Sequence, residues 1–358
     1  VGVNDRSYLI DAAVDHAIDL VHYSNDVVRR VRALMRNVDT DLVTRLTIAL
    51  QDLDPTSFTV RRLQELMSGI RGIDLEMQAK IIGEVTPELR KLAEYEHEYQ
   101  QRLFGGVIRT PSLEQIHAAA TSKPFQGRLL SEWFSELAST RQRRLSNAVA
   151  VGFTEGRTID EIVRTIRGRR DQNFKDGILE IGKREAEAVV RTAVSHTAAS
   201  VREEVYKRND DLFTAEEWVS TLDSRTTPLC QIRDGLQYTT VEHDPIGHKV
   251  PWGAGPGRIH WGCRSVSIPV LKREFTDVFG APATRASVDG PVSADTKYGA
   301  WLLRQSASRQ DEILGPTRGL LLRKGGIKFD RFFNNEGRFL TLDQMRERDA
   351  AAFARAKL

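Results

Sequence analysis

Three residues stand out as groups that could do chemistry: Cys230, His260 and Cys263, the last two in a His-x-x-Cys unit. No other cysteine occurs in the chain. A thiol beside an imidazole can act as nucleophile and base, and Asp223 could orient the ring. Asp223, Arg225, His260 and Arg264 could instead form an acid/base set with guanidiniums placed for a phosphate. The same residue types have structural uses. An Asp/Arg pair is commonly a local ion pair, and Asp234-Gly235 is a turn signal. Trp218, Trp252 and Trp261 crowd into the same stretch, as expected of a small, rigid, aromatic-packed module. The glycine loop at 253–257 is no phosphate cradle, because no helix and no Lys-Ser/Thr pair follow it and Pro256 lacks a donor.

The elements around these residues change texture at about Leu212. Before it the chain reads as helix. Residues 5 to 53 carry apolar side chains at steps of three and four, with a break at Asp54-Pro55. Helical stretches follow from Thr59 to Met67 and from Ile73 to Leu103. Ser112 caps a helix start, and another helix runs from Leu130 to Val151. Thr158 with Glu161 forms a capping box for a helix ended by Gly168. Residues 182–208 make the clearest amphipathic helix, with Val190, Val194, Val201 and Val205 in its stripe. Lone histidines such as His16 and His22 read as packed or solvated residues. After Leu212 the runs at 216–223, 235–241 and 264–271 read as short strands. A short helical piece ends at Phe279-Gly280, a Pro/Ala/Ser/Gly linker follows, and two helical segments with a turn at Asn334 to Gly337 complete the tail.

At 358 residues, two or three domains are expected. Charged residues are 28% and hydrophobic residues 40% of the chain, which fits a folded globular protein rather than a disordered one. The apolar runs are too short to span a bilayer, and the first residues lack the pattern of a signal peptide. The missing initiator Met suggests a trimmed start at Val1. A net charge of +3 is too small to mark a dedicated nucleic-acid binder. Two cysteines exclude a disulfide scaffold and fit synthesis in a reducing compartment.

The order Arg191 to Asn209, Trp218, Asp223-x-Arg225-Thr226, Cys230, Asp234-Gly235 and His260-x-x-Cys263-Arg264, closed by Pro269, resembles the phage head-morphogenesis or minor head protein family, typified by Mu F-like proteins. The tail from Tyr298 through Phe333, with the TLDQM run after it, is similar to that family's C-terminal segment. The resemblance covers residues 112 to 350 well and the first 110 loosely. Two positions depart from the family pattern. Thr227 stands where a first cysteine is common, and Ser265 where a last one is. The full family set would suit tetrahedral zinc. No cofactor is expected here, because zinc would need a fourth ligand beside Cys230, Cys263 and His260, with His248, His243 or Asp223 as candidates. One cysteine from each cluster also suits a Cys230–Cys263 disulfide, or two reduced thiols side by side.

The expectation is therefore an α+β chain, mainly α. An elongated helical bundle or hairpin would occupy 1–110 and the helical part of the head-morphogenesis domain 111–211. A Cys/His/Trp-rich β module would follow at 212–280, a linker at 281–297 and a basic helical tail at 298–358. Trp218, Asp223, Arg225, Asp234, Gly235, Trp261 and Arg264 would form the structural core of the motif. The resemblance implies a low-copy, non-enzymatic factor bound to the portal protein near the vertex, inside the capsid, and in the host cytoplasm during assembly. Major capsid or scaffold protein would be a further partner, and no membrane is involved. Arg164, Arg167, Arg169 and Arg170, with Arg323, Lys324 and Lys328 in the tail, would contact packaged DNA through phosphates without reading sequence. The alternatives are a virion-carried Cys/His hydrolase or nuclease, and a metal-stapled nucleic-acid-binding protein.

Overall fold

The computed structural model describes residues 5–51, 60–105, 107–272 and 284–358. The expected break at Asp54-Pro55 and most of the short helical piece before Gly280 lie outside them. The chain is mainly α, with small sheets late in the sequence. It divides into two compact units that alternate along the sequence. One comprises residues 22–95 and 113–197, the other 1–21, 96–112 and 198–358. This differs from the consecutive blocks expected from composition. Helices α1 (Asp5–Gln51), α2 (Val60–Leu103) and α6 (Ile178–Arg208) each contribute to both units, so no boundary falls where texture changes.

The first unit is helical. It holds parts of α1, α2 and α6 together with α3 (Leu113–Ser122), α4 (Leu130–Thr154) and α5 (Ile159–Arg167). Leu42 and Leu46 of α1, Met67 and Ile70 of α2, Leu145 of α4 and Ile162 of α5 share one core. The break expected between Met67 and Ile73 does not occur. The stripe of Met67, Ile70, Met77 and Ile81 stays buried straight through it, and α2 keeps its turn because packing of that face outweighs the cost of Gly69 and Gly72. The capping box is as read: Thr158 Oγ1 accepts from the Glu161 backbone N–H, and the Thr158 N–H donates to Glu161.

This unit also buries charge. Arg141 of α4 lies 2.7 Å from Asp39 of α1 and 3.0 Å from Asp74 of α2, and Lys183 of α6 is 3.2 Å from Asp39. Four helices are thus joined by one charge cluster. Burial pushes the Asp74 carboxyl up to about 6; Arg141 opposes the shift and Asp39 adds to it.

In the second unit a four-stranded antiparallel sheet has the order β3-β2-β1-β4. Its strands are β1 (Phe213–Val219), β2 (Gln237–Tyr238), β3 (Pro245–Ile246) and β4 (Val266–Leu271). The long pair is β1 with β4, where Trp218 faces Ser267 and Val219 faces Val266. Leu9 and Ile10 of α1, Phe104, Tyr206 of α6, Phe213 and Ile268 pack as its core. His16 is a packed histidine, as read: it is buried, stacks on Tyr99 at 3.9 Å and hydrogen-bonds to Glu96.

The stretch expected as a linker is built into this unit from Thr284 onward. Strands β5 (Thr284–Arg285) and β6 (Val292–Ser293) pair as a hairpin, and Arg285 is 3% exposed. The composition is that of a spacer, but one buried ion pair fixes it. The tail is likewise part of the folded body rather than a free arm. Short helices between Tyr298 and Ala356 bury Tyr298, Trp301, Leu321, Phe332, Leu340 and Phe353 in one cluster, together with Leu222 of the β module.

Candidate functional site

Helix α7 (Pro228–Arg233) carries Cys230, and the turn before β4 carries His260 and Cys263. Pro228 sits at its first turn, where a missing N–H costs nothing. Both cysteines are buried, at 1% and 0% exposure, while His260 is partly exposed. Cys230 Sγ is 3.1 Å from His260 Nε2 and 3.6 Å from Cys263 Sγ. The thiols are free, and their separation is far beyond the ~2.05 Å of a disulfide. The two positions that depart from the family pattern lie beside this pair: Thr227 directly precedes α7, and the Ser265 hydroxyl hydrogen-bonds to Ser220 Oγ at 3.3 Å.

Electrostatics divide the thiol pair. Its hydrogen bond with Cys263, followed by burial, pushes the Cys230 thiol up, so this sulfur keeps its proton. The same bond pulls Cys263 well below the ordinary thiol range, with His260 adding to the effect. Burial would lower the His260 imidazole, but the hydrogen bond and charge of Cys263 raise it above its usual value. Nδ1 of His260 lies 3.0 Å from the Trp261 carbonyl. That bond fixes the tautomer and leaves Nε2 facing the sulfurs, the usual arrangement behind a metal-bound imidazole.

Cys230, His260 and Cys263 could hold a metal ion, since their donor atoms all lie within 4.8 Å of one another. They supply three corners of a tetrahedral site. The fourth does not come from the residues named for it. Asp223 accepts from both terminal nitrogens of Arg264, at 2.6 and 2.8 Å, and from the N–H groups of Arg225 and Thr226. His248 is 2.9 Å from the Gln237 carbonyl through Nε2 and accepts from the Val250 N–H through Nδ1. His243 stacks on Trp252 at 4.6 Å and lies 3.4 Å from Glu216. Asp223, the carboxylate expected to orient the imidazole, is committed to Arg264, and the Trp261 carbonyl orients the ring instead.

The structure brings most of the motif together around this cluster. Trp218, Tyr238 and Trp252 pack with the two cysteines, with Trp218 and Trp252 edge to face at 5.3 Å. The Trp218 indole donates to Ser220 Oγ, which donates to the Cys230 carbonyl. Gly235 turns with φ 72°, and its N–H returns to the Trp218 carbonyl. Asp234 is a hub: it accepts from the N–H groups of Ser220 and Tyr298 and pairs with Arg285 at 3.2 Å.

Two motif residues stand apart from that core. Trp261 is 41% exposed, and Trp252 fills the core position instead. The Arg225 side chain is 81% exposed and meets Asp223 only as a loose ion pair at 3.6 Å, while its backbone N–H joins the Asp223 turn. Sequence reasoning missed Arg285 and Tyr298, whose signal was a lone arginine in a spacer-like run and an aromatic pair at the start of the tail.

The basic candidates fall into two groups, one in each unit. Arg164, Arg167, Arg169 and Arg170 line a hollow of about 890 Å³ at the end of α5. Arg169 is tied to Asp176, and the Arg167 guanidinium lies 5.2 Å over the Phe174 ring. In the tail, Arg323 is spent on Asp311 at 2.8 Å, whereas Lys324 and Lys328 point to solvent. Among the described residues no helix is long and apolar enough to cross a membrane.

No family model, curated protein or solved structure matches this chain.

Proposed function

We propose that this chain is a phage minor head protein: a low-copy, non-enzymatic structural and assembly factor at the portal vertex, facing the capsid interior. One observation carries the reading. Most of the residues that resemble the head-morphogenesis pattern, scattered from Trp218 to Arg264, converge on one packed cluster, flanked by Asp223 held by Arg264 and Asp234 held by the Ser220 N–H. Such a cluster gives a rigid body for assembly contacts. The portal protein is its main partner, with capsid or scaffold protein as a further one. Of the basic groups, the hollow around Arg164, Arg167 and Arg170 is the better surface for packaged DNA, because four arginines line it against two aspartates, Asp160 and Asp171, whereas Arg323 is paired with Asp311.

In this reading Cys230, His260 and Cys263 would hold Zn²⁺ as a staple between α7 and the start of β4, with the fourth corner supplied from outside these three residues. The ion would supply a cross-link worth folding free energy. The protein contributes the soft donors, the tautomer fixed at Trp261, and a dry aromatic wall.

The test is co-purification with the portal and major head proteins encoded in the same genome. A stable complex with the portal, containing few copies of this chain, is expected. Absence of any such complex, together with turnover of DNA or peptide that Cys230→Ser abolishes, would replace this reading with the enzyme one.

A further inference from the structure

A cavity of about 270 Å³ lies beside the Asp223–Arg264 pair, away from the thiols, and no role described so far uses it. One wall is a stripe of α1, Val14, Ala17, Ile18 and Val21, spaced to share one helix face. The facing walls are Val219 of β1 and Val266 of β4, and Val288 closes a side. Val219 and Val266 are 2% and 5% exposed, yet Ile18 and Val288 remain 44% and 60% exposed at the mouth. Branched side chains are thus left in water around a carbon-lined hollow.

The rim is cationic. Arg225 and Arg264 face a single carboxylate, Asp223. The Asp223 oxygens already accept from Arg264, from two backbone N–H groups and from the Thr226 hydroxyl. Arg225 forms a loose ion pair with Asp223 at 3.6 Å, beyond hydrogen-bond range, and its side chain is 81% exposed, so its N–H donors remain open to a second carboxylate.

We infer that this cavity receives an apolar side chain of a partner polypeptide that carries a carboxylate next to it. The side chain fills the valine-lined hollow and the carboxylate pairs with Arg225. The volume suits one large aliphatic or two small side chains, and it is below the usual range for small-molecule sites. A polyphosphate chain would leave the carbon walls in water, and a neutral apolar peptide would leave the Arg225 donors unused. The inference stands whether or not the chain is a minor head protein.

The probe is a fluorescein-labelled, end-capped peptide Ala-Leu-Leu-Asp-Ala, titrated by anisotropy with the full chain. Saturable binding tighter than about 1 mM is expected. Replacing the peptide Asp by Asn, or changing Arg225→Ala in the protein, should weaken it about tenfold by removing one charge-assisted bond. Replacing both peptide leucines by serine, or Ile18→Ser with Val288→Ser, should weaken it at least as much. Arg225 is exposed, so Arg225→Ala should keep the native melting temperature, and the exposed Arg29→Ala should bind normally. Lack of saturable binding overturns the inference. So does equal binding of the Asn or serine peptide, or equal binding by Arg225→Ala.

Discussion

Asp74→Asn should change how the stability of this protein depends on pH, by an amount that the buried charge cluster sets. Asp74 is 2% exposed, with Arg141 Nε at 3.0 Å and the second carboxylate, Asp39, on the same guanidinium. Its carboxyl is pushed from 3.8 up to about 6. The folded chain therefore holds this proton more tightly than the unfolded chain does. The stabilisation is full below the ordinary carboxyl value and is lost as pH rises through about 6. A displacement of that size corresponds to about 3 kcal/mol. Asparagine keeps the shape and removes the proton. Urea unfolding of both proteins, followed by helix circular dichroism at fixed ionic strength, gives the stability difference at each pH. Relative to the native protein, Asp74→Asn should gain about 3 kcal/mol between pH 3 and pH 7. Titrating groups outside this cluster are common to both proteins and cancel. A flat difference would mean that Asp74 titrates as in water. A difference of opposite sign would mean that attraction to Arg141 outweighs burial.

Arg285→Met should cost roughly 3–5 kcal/mol, because it leaves the Asp234 carboxylate buried without its cation; adding Asp234→Asn should recover part of the lost melting temperature. Gly177→Ala puts a Cβ 2.3 Å from the Arg167 carbonyl oxygen, and thermal melts should show a loss of roughly 1–3 kcal/mol. Gly72→Ala meets nothing within 4 Å inside α2, so the same melts should show a gain of up to about 1 kcal/mol. Zinc should bind stoichiometrically, as read by elemental analysis of dialysed protein, and chelation should lower the melting temperature; Cys263→Ser and His260→Ala should abolish both effects. Identical melts with and without zinc in the native protein would remove the metal from the account.

Local chemistry made much of the fold readable. The capping box at Thr158, the valine stripe of α6 and the strand character of the runs around Trp218 and Ile268 each depend on near neighbours or on simple period. Contacts between distant residues were less legible. Asp39 stands between Met35 and Leu42 on a buried face, Asp74 between Ile70 and Met77, and Arg141 between Phe134 and Leu145. A charge at a core position of each of three helices was a visible signal that the three meet. Arg285 gave only a weak one, since the run around it has the composition of a spacer and its partner lies 51 residues away. For the site, Cys230 and His260 are 30 residues apart, and no periodicity joins them. Only the order of the surrounding motif suggested that they meet, and it gave no warning that Trp252 rather than Trp261 would be the inner aromatic.

The Asp234 hub bears on how the chain is made. Its backbone partner Tyr298 follows 64 residues later. At synthesis rates of about 5–20 residues per second, Asp234 waits about 3–13 s for that partner. During this interval the aromatic shell of the thiols, from Trp218 to Cys263, is already present in the chain, but the Asp234 carboxylate lacks first Arg285 and then the Tyr298 N–H. Satisfaction of that buried carboxylate is therefore timed by the arrival of the C-terminal segment.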